Sequence, residues 1–197
     1  MKNLFMIILS VTLLINYTFA QHAVVQQFKA NALLSDNPIT SVKNYDMMIA
    51  CRAYDNIAHK LIFNVLLLKG GHWQKMTGSM PVANVPLSVD EPSLKPLETT
   101  DAQADAMITS LAAAHLFTVP DDNSGLPKCN ETEEAKNGNR DVVDHSIEDG
   151  PEYRIWIATP KKVRYLYYYA PEFFAQFCAD NKEREDVVKI VRLFRNW

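Results

Sequence analysis

The sequence lacks most of the short motifs that identify an enzyme class. Its 197 residues contain three cysteines, Cys51, Cys129 and Cys178, and no Cys-x-x-Cys pair. The missing pair argues against a thioredoxin-like redox motif and against the common zinc-binding spacings. We also find no Gly-x-Ser-x-Gly, His-Glu-x-x-His, P-loop or dinucleotide fingerprint. The sequence therefore predicts no cofactor, and an enzyme is the less favoured interpretation.

The chain also lacks an excess of positive charge. Lys and Arg together number 20 against 23 Asp and Glu, and the formal net charge at pH 7 is -3. A nucleic-acid-binding protein needs a concentrated basic face, because it must neutralise phosphates. We therefore expect no nucleic-acid partner.

Long apolar runs are missing after the first twenty residues. An apolar stretch from Leu4 to Ile15 follows a positive residue and ends in Thr18-Phe19-Ala20, the small-residue pattern that signal peptidases cleave. We interpret residues 1–20 as a cleaved signal peptide and residues 21–197 as one periplasmic or secreted domain. The alternative is an uncleaved N-terminal anchor. We expect no membrane span after cleavage.

Export would permit disulfides, and three cysteines allow one bridge. The sequence leaves open which of the three pairs forms. Cys51 lies in an apolar strand and Cys178 lies among phenylalanines, so we expect both to be buried like small hydrophobic residues. Cys129 lies in an acidic stretch, which is a poor environment for a thiolate nucleophile.

Hydrophobic periodicity predicts an α+β fold. Residues 47–54 and 60–68 are predicted strands, and 72–76 could form a third after the Gly70-Gly71 turn. Residues 153–158 and 163–169 form a predicted hairpin with a proline turn. We expect a small antiparallel or mixed sheet of about four to five strands, with helices mainly on one face.

Three segments have helical patterns. Residues 22–34 have apolar positions at helical spacing. A capping box at Thr100 begins a second helix, whose apolar stripe includes His115, so we expect a core histidine there. The last helix would begin with Asp180 as its cap. Residues 121–149 hold nine acidic and three basic residues, and we predict an exposed acidic loop.

The stretch from the capped helix onward resembles a pattern found in uncharacterised exported bacterial proteins. In that pattern a helix ends in Phe-x-x-Pro, a variable loop follows, and Asp-Gly leads into an aromatic strand and a second strand ending near Pro. The matching elements are Phe117 and Pro120, Asp149-Gly150, Tyr153, and residues 163–171. The chain departs from the pattern where Tyr153 replaces the usual Trp and Trp156 replaces an acidic residue. The resemblance implies a small α+β domain and carries no activity.

Aromatic residues of the predicted hairpin form the first candidate site. Tyr165, Tyr167 and Tyr169 share one strand face, and Trp156 lies on the neighbouring strand. Rings exposed together could bind a protein or a glycan. The competing interpretation, which we favour, is packing: the tyrosine face lies against the helices and the hydroxyl groups reach water at the rim.

Acidic residues of the predicted loop form the second candidate site. Carboxylates suit calcium or magnesium, and one histidine tolerates zinc or manganese. The weak candidate ligands are Asp141, Asp144, His145, Glu148 and Asp149. The competing and favoured interpretation is a solvated acidic loop before an Asp-Gly turn.

These observations leave several functional hypotheses open. The first is an exported binding or accessory protein of the cell envelope, which contacts a protein or glycan partner without catalysis. The alternative is an exported hydrolase with a carboxylate or metal site near residues 141–149. A third hypothesis, an inhibitor or immunity-type partner of an enzyme, has no sequence feature that separates it from the first.

Overall fold

The computed structural model describes residues 28–55, 57–82, 92–126, 131–134, 140–143, 147–178 and 181–197. The eight strands are β1 (Met47–Asp55), β2 (Lys60–Lys69), β3 (His72–Pro81), β4 (Lys95–Pro96), β5 (Glu131–Glu134), β6 (Arg140–Val143), β7 (Glu152–Thr159) and β8 (Lys162–Tyr169). The helices are α1 (Asp101–Ala113), α2 (Pro171–Ala175) and α3 (Lys182–Arg195).

Six strands form one antiparallel sheet in the order β4-β3-β2-β1-β7-β8, and β5 pairs with β6 separately. This arrangement is compatible with the predicted α+β class. The predicted four to five strands were slightly too few. The extra strand is β4, which is two residues long and follows a proline-rich stretch with no strand pattern.

The helices α1 and α3 pack on one face of the sheet, which we call the helix face. Alternate residues of the central strands point to it and are buried against both helices, among them Ile49, Cys51, Leu66, Ile155, Leu166 and Tyr168. The predicted capping box begins α1, because Thr100 accepts from the backbone of Gln103 at 3.2 Å. The cap of α3 is Asn181, not Asp180, which lies outside the described residues.

Residues 32–45 cover part of the opposite face, where Ala32, Ile39, Val42 and Tyr45 join its buried cluster. The helix predicted over 22–34 is absent from its described part, since residues 28–33 are not helical and Ala32 forms a bridge with Val163 of β8. Ile39 is fully buried against this face of the sheet. A short isolated helix is marginal in water, so pairing with β8 overrides the local periodicity.

The strand β8 lies at the edge of the sheet, and side chains occupy outward-facing backbone groups along it. Asn31 accepts from the Tyr165 amide at 2.7 Å and donates to the Tyr165 carbonyl at 2.8 Å. Two further backbone amides donate to the carboxylates of Asp121 and Asp122, at 3.2 and 2.7 Å. Unpaired edge groups are templates for another strand. These side chains therefore block strand addition along this part of β8.

The described parts of residues 121–149 include a buried residue and a strand pair, which the predicted exposed acidic loop did not anticipate. Asp121 is 3% exposed because it binds the backbone of β8. Residues 131–134 and 140–143 pair as the β5–β6 hairpin. Acidic composition alone does not reveal which carboxylates accept hydrogen bonds inside the fold.

The helix α1 ends earlier than its periodicity predicts. Its last residue is Ala113, and His115 lies two residues beyond it with a φ of 57°. Leu116 donates its amide to Leu111 at 3.0 Å, which together with the His115 amide forms a Schellman-type C-terminal cap. The expectation of a core histidine was wrong, because the His115 side chain is half exposed.

The two cysteines within the described residues differ in their bonding. Cys51 is unbridged and buried, and burial raises the pKa of its thiol. Cys178 is buried too, but it is bonded in a disulfide. Cys129 and residues 1–20 lie outside the described residues. No helix in the described ranges has both the length and the hydrophobicity needed to cross a bilayer.

Candidate functional site

Several side chains of β1, β7 and β8 remain partly exposed on the sheet face opposite the helices, and five of them form one group. They lie beyond the area that the N-terminal segment covers, and we call this group the open face: Arg52, Glu152, Arg154, Tyr165 and Tyr167.

Strand register brings these side chains together. Arg52 of β1 pairs with Arg154 of β7, and Arg154 pairs with Tyr167 of β8. Residues directly opposite each other in an antiparallel pair point to the same face, with Cβ atoms about 5 Å apart. The two arginines therefore lie side by side, although about a hundred residues separate them in sequence.

One carboxylate holds both arginines. The Glu152 Oε1 atom accepts from Arg52 Nη2 at 2.8 Å and from Arg154 Nε at 2.5 Å. Burial alone would raise the pKa of Glu152, but the hydrogen bonds and charges of Arg154 and Arg52 outweigh burial and lower it. Two cations thus share one anion, and the cluster keeps one net positive charge. Each guanidinium also keeps further N–H donors, because an arginine has five.

The tyrosines extend this cationic cluster with aromatic surface. The Arg154 guanidinium lies 5.7 Å from the centroid of the Tyr167 ring, which is cation–π geometry. The Tyr165 ring packs against Trp156 with centroids 5.4 Å apart. Burial raises the pKa of both phenols, so both hydroxyl groups stay protonated and can donate hydrogen bonds at neutral pH.

The other two aromatic candidates have different surroundings. Trp156 is 5% exposed and belongs to the core between the sheet and the N-terminal segment. The Tyr169 hydroxyl donates to the Ile147 carbonyl and accepts from the Gly150 amide, both at 2.9 Å. A Cβ at Gly150 would lie 2.7 Å from the Ala170 Cβ. Tyr169 thus stabilises the turn before β7, whereas Tyr165 and Tyr167 belong to the open face.

The packing interpretation of the tyrosine row placed it on the wrong face. The residues of β8 that meet the helices are Leu166 and Tyr168, whereas Tyr165 belongs to the opposite cluster. Strand alternation predicted correctly which residues share a face. It could not predict which of the two faces the helices cover.

The acidic candidates are only partly within the described residues. Glu148 and Asp149 are exposed, and Asp149 has a φ of 56°. Asp144 and His145 lie outside the described residues, and so does the side chain of Asp141. Among the residues that the structure describes, no three His, Cys, Asp or Glu side chains are grouped to hold a metal. The metal site therefore stays a prediction.

Sequence reasoning did not identify the arginine cluster. A signal existed, because Arg52 interrupts an apolar strand and Arg154 alternates with buried residues. A charged residue inside a sheet strand requires a partner, and Glu152 is that partner. The pairing depends on the β1–β7 register, which local periodicity does not determine.

A positively charged, tyrosine-rich sheet surface can bind a partner without performing chemistry. Tyr, Trp and Arg are enriched where proteins recognise each other, because they combine large apolar area with directional donors. Comparisons with protein-family models, with curated proteins and with solved structures find no match to this chain.

Proposed function

We propose that this chain is an exported binding or accessory protein of the cell envelope, and that its open face contacts a protein or glycan partner. The observation that carries the proposal is the pairing of Arg52 and Arg154 on one carboxylate beside two half-buried tyrosines. Such a surface offers stacking area, hydroxyl donors and residual positive charge together. A partner with carboxylate groups and flat or apolar surface fits that combination.

Preorganisation favours recognition by this surface. The open face is part of a six-stranded sheet, and its arginines are already held by Glu152. A partner therefore meets side chains that lose little conformational entropy on binding. Strand addition is an unsuitable mode at the blocked part of β8, so side-chain recognition on the face is the proposed mode.

Two observations support export. The sequence begins with a pattern typical of a cleaved signal peptide. Cys178 is disulfide-bonded, and disulfides persist in oxidising compartments such as the periplasm or the cell exterior. Mass spectrometry of protein from the host's envelope fraction tests this part. We expect a chain beginning at Gln21 with the mass of one disulfide, and an intact N-terminus in the cytoplasmic fraction would contradict it.

Site-specific photocross-linking tests the binding surface directly. We would place a photoreactive phenylalanine analogue at Tyr167 and, as a matched control, at Lys189 on α3. We expect a discrete adduct in the envelope from position 167 and none from position 189. The same adducts from both positions, or no adduct from position 167, would contradict the proposal.

A charge variant shows whether the arginine pair contributes to recognition. Arg154→Gln removes one cation but keeps a polar side chain, and Arg192→Gln on α3 is the control. We expect the Tyr167 adduct to fall about tenfold in Arg154→Gln and to stay unchanged in the control, as for loss of a charged hydrogen bond at an interface. An unchanged yield in Arg154→Gln would exclude the pair from recognition.

A further inference from the structure

A second site lies on the helix side of the sheet, away from the open face. A cavity of about 440 Å³ opens between the end of α1 and the start of α3. It is large enough for a small organic molecule. Its walls are His115, Thr118, Val119, Pro120, Asn181, Lys182, Glu183 and Asp186.

The cavity wall is held in place from beneath. Arg164 of β8 is largely buried, and its guanidinium donates to the backbone carbonyls of Phe117 and Val119. On the other side, the Asn181 side chain caps α3 by accepting from the Arg184 amide at 2.8 Å. Both walls are therefore fixed by hydrogen bonds that do not involve any ligand.

His115 occupies a backbone position where glycine is usually found. It is the residue after the cap of α1, in the left-handed region with a φ of 57°. A side chain with a Cβ is strained there, and glycine is not. Glycine would relieve this strain, which His115 shares with Asn44, His59, Asp149 and Ala170 among the described residues.

A buried carboxylate orients the His115 ring. The His115 Nδ1 atom lies 2.7 Å from Asp186 Oδ2, and the Asp186 side chain is 4% exposed. Burial alone would raise the pKa of Asp186, but hydrogen bonds from His115, Lys189 and Lys182 outweigh it and lower the pKa. An ionised carboxylate only accepts hydrogen bonds, so Nδ1 carries the proton. In a ring that carries this single proton, Nε2 has the lone pair.

A second His–Asp pair, His72 with Asp101, provides a comparison for the surroundings of the His115 pair. His72 Nδ1 lies 3.0 Å from Asp101 Oδ2, but these side chains are 76% and 60% exposed. The walls of the cavity include neither His72 nor Asp101. The His115 pair combines the same two groups with a buried carboxylate and a cavity. The buried Asp186 carboxylate fixes the orientation of the His115 ring, and the ring lines a cavity. The exposed His72 pair has neither feature.

We propose that His115 is the general base of a hydrolytic site for small neutral carboxylic esters, with Asp186 as its positioning residue. Water gives a proton to His115 Nε2 while its oxygen bonds to the ester carbonyl carbon. The tetrahedral intermediate then breaks its bond to the alcohol oxygen, which receives the proton from Nε2. The products are a carboxylic acid and an alcohol, and no further reactant is required.

The charges of the cavity define the substrate class. Among the walls Lys182 contributes one positive charge, and Glu183 and Asp186 contribute two negative charges. Lys189, which donates a hydrogen bond to Asp186 at 3.2 Å, adds a second positive charge. The charges around His115 therefore balance, which suits a substrate without net charge. Val119 and Pro120 offer apolar surface to the acyl group.

The proposal goes beyond the binding role of the open face and is tested separately. The probe is p-nitrophenyl acetate with the full mature protein. We expect His115→Gly to lower kcat/KM about 100-fold, which is the usual contribution of a general base. The matched control, His72→Gln, should keep the full rate. A loss below tenfold in His115→Gly, or an equal loss in His72→Gln, would overturn the proposal.

Two further readouts separate catalysis from a structural role. His115→Gly relieves the backbone strain and should fold, so free imidazole should restore part of its rate after hydrolysis of the ester by imidazole alone is subtracted. Asp186→Asn should lower kcat at least tenfold while KM stays within twofold, because the asparagine keeps the shape of the wall but does not hold the ring as an anion does. No rescue by imidazole in a folded His115→Gly protein would overturn the proposal.

Discussion

Tyr167 and Tyr168 are neighbours on β8 and lie on opposite faces of the sheet. Tyr168 is fully buried on the helix face, where its hydroxyl donates to the Pro120 carbonyl at 3.3 Å. Tyr167 is half-buried on the open face, under the Arg154 guanidinium. Burial raises the pKa of both phenols, so both are neutral at physiological pH.

The two faces satisfy their arginines in different ways. On the helix face, the Arg164 guanidinium donates to two backbone carbonyls and is inaccessible to a partner. On the open face, Arg52 and Arg154 share a single carboxylate oxygen and stay in contact with solvent. The comparison shows that residue type alone does not predict whether an arginine of this sheet stabilises the fold or stays accessible to a partner. The helix face should govern stability and the open face should govern recognition.

The largest expected effect is on the helix face. Tyr168→Ala should lower the free energy of unfolding by about 3–5 kcal/mol, as for other buried aromatic residues. Urea denaturation of the purified protein measures this loss. Tyr167→Ala is the matched control and should cost less than about 1 kcal/mol, because its ring is partly in solvent. Equal losses in the two variants would remove the distinction between the faces.

The buried arginine should come next. Arg164→Met should lower the free energy of unfolding by about 2–4 kcal/mol, because the Phe117 and Val119 carbonyls each lose a donor. The open-face counterpart, Arg154→Met, should cost about 1 kcal/mol or less. Hydrogen exchange would show faster opening of residues 116–122 in Arg164→Met alone. Unchanged exchange there would contradict the anchoring role of Arg164.

Lowering the pH should reduce the stabilising contribution of Asp186, on the helix side, more than that of Glu152, on the open face. The pKa values of Asp186 and Glu152 are both lowered in the folded protein, so their stabilisation is present above the unfolded pKa of about 4 and is lost as pH falls below it. Asp186 is almost fully buried and Glu152 is not, so solvent screens Glu152 more. Between pH 5 and about pH 2, the free energy of unfolding should therefore depend less on pH in Asp186→Asn than in Glu152→Gln.

Urea denaturation at each pH measures this difference. Thr159→Val, at a position without a titrating group, serves as the control and should keep the slope of the unaltered protein. A pH slope in Asp186→Asn as steep as that of the unaltered protein would show that the carboxylate has no stabilising role.

The smallest change in stability is expected at the edge strand β8, where Asn31 binds the backbone of Tyr165. Asn31→Ala removes both side-chain hydrogen bonds to the Tyr165 backbone and should cost about 1 kcal/mol. It also exposes a strand edge, so self-association should rise with concentration. Analytical ultracentrifugation measures that association. A variant that stays as monodisperse as the unaltered protein would show that the aspartates alone close the edge.

The strands were the part of the fold that the sequence predicted best. The strands predicted over residues 47–54, 60–68, 153–158 and 163–169 coincide with β1, β2, β7 and β8. The capping box at Thr100 also begins α1 as predicted. These features depend on residues within one turn or strand of each other, so local sequence contains enough information to predict them.

The candidate site depends on contacts between distant residues. Arg52 meets Glu152 across one hundred positions, and His115 meets Asp186 across 71. His115 was assigned to the apolar stripe of α1 because the periodicity continues through the turn that ends the helix. No glycine marks that turn, so the usual stop signal was missing.

The buried thiol of Cys51 has a consequence for how the chain matures. Cys51 lies in β1 between β2 and β7, where it pairs with Asn64 and Ile155. In an oxidising compartment the unfolded chain has three thiols, any two of which can join. Once these strands assemble, Cys51 is sheltered from oxidants and exchange partners. Burial in the assembled sheet therefore leaves Cys51 out of disulfide exchange, and the folded chain keeps it as a free thiol.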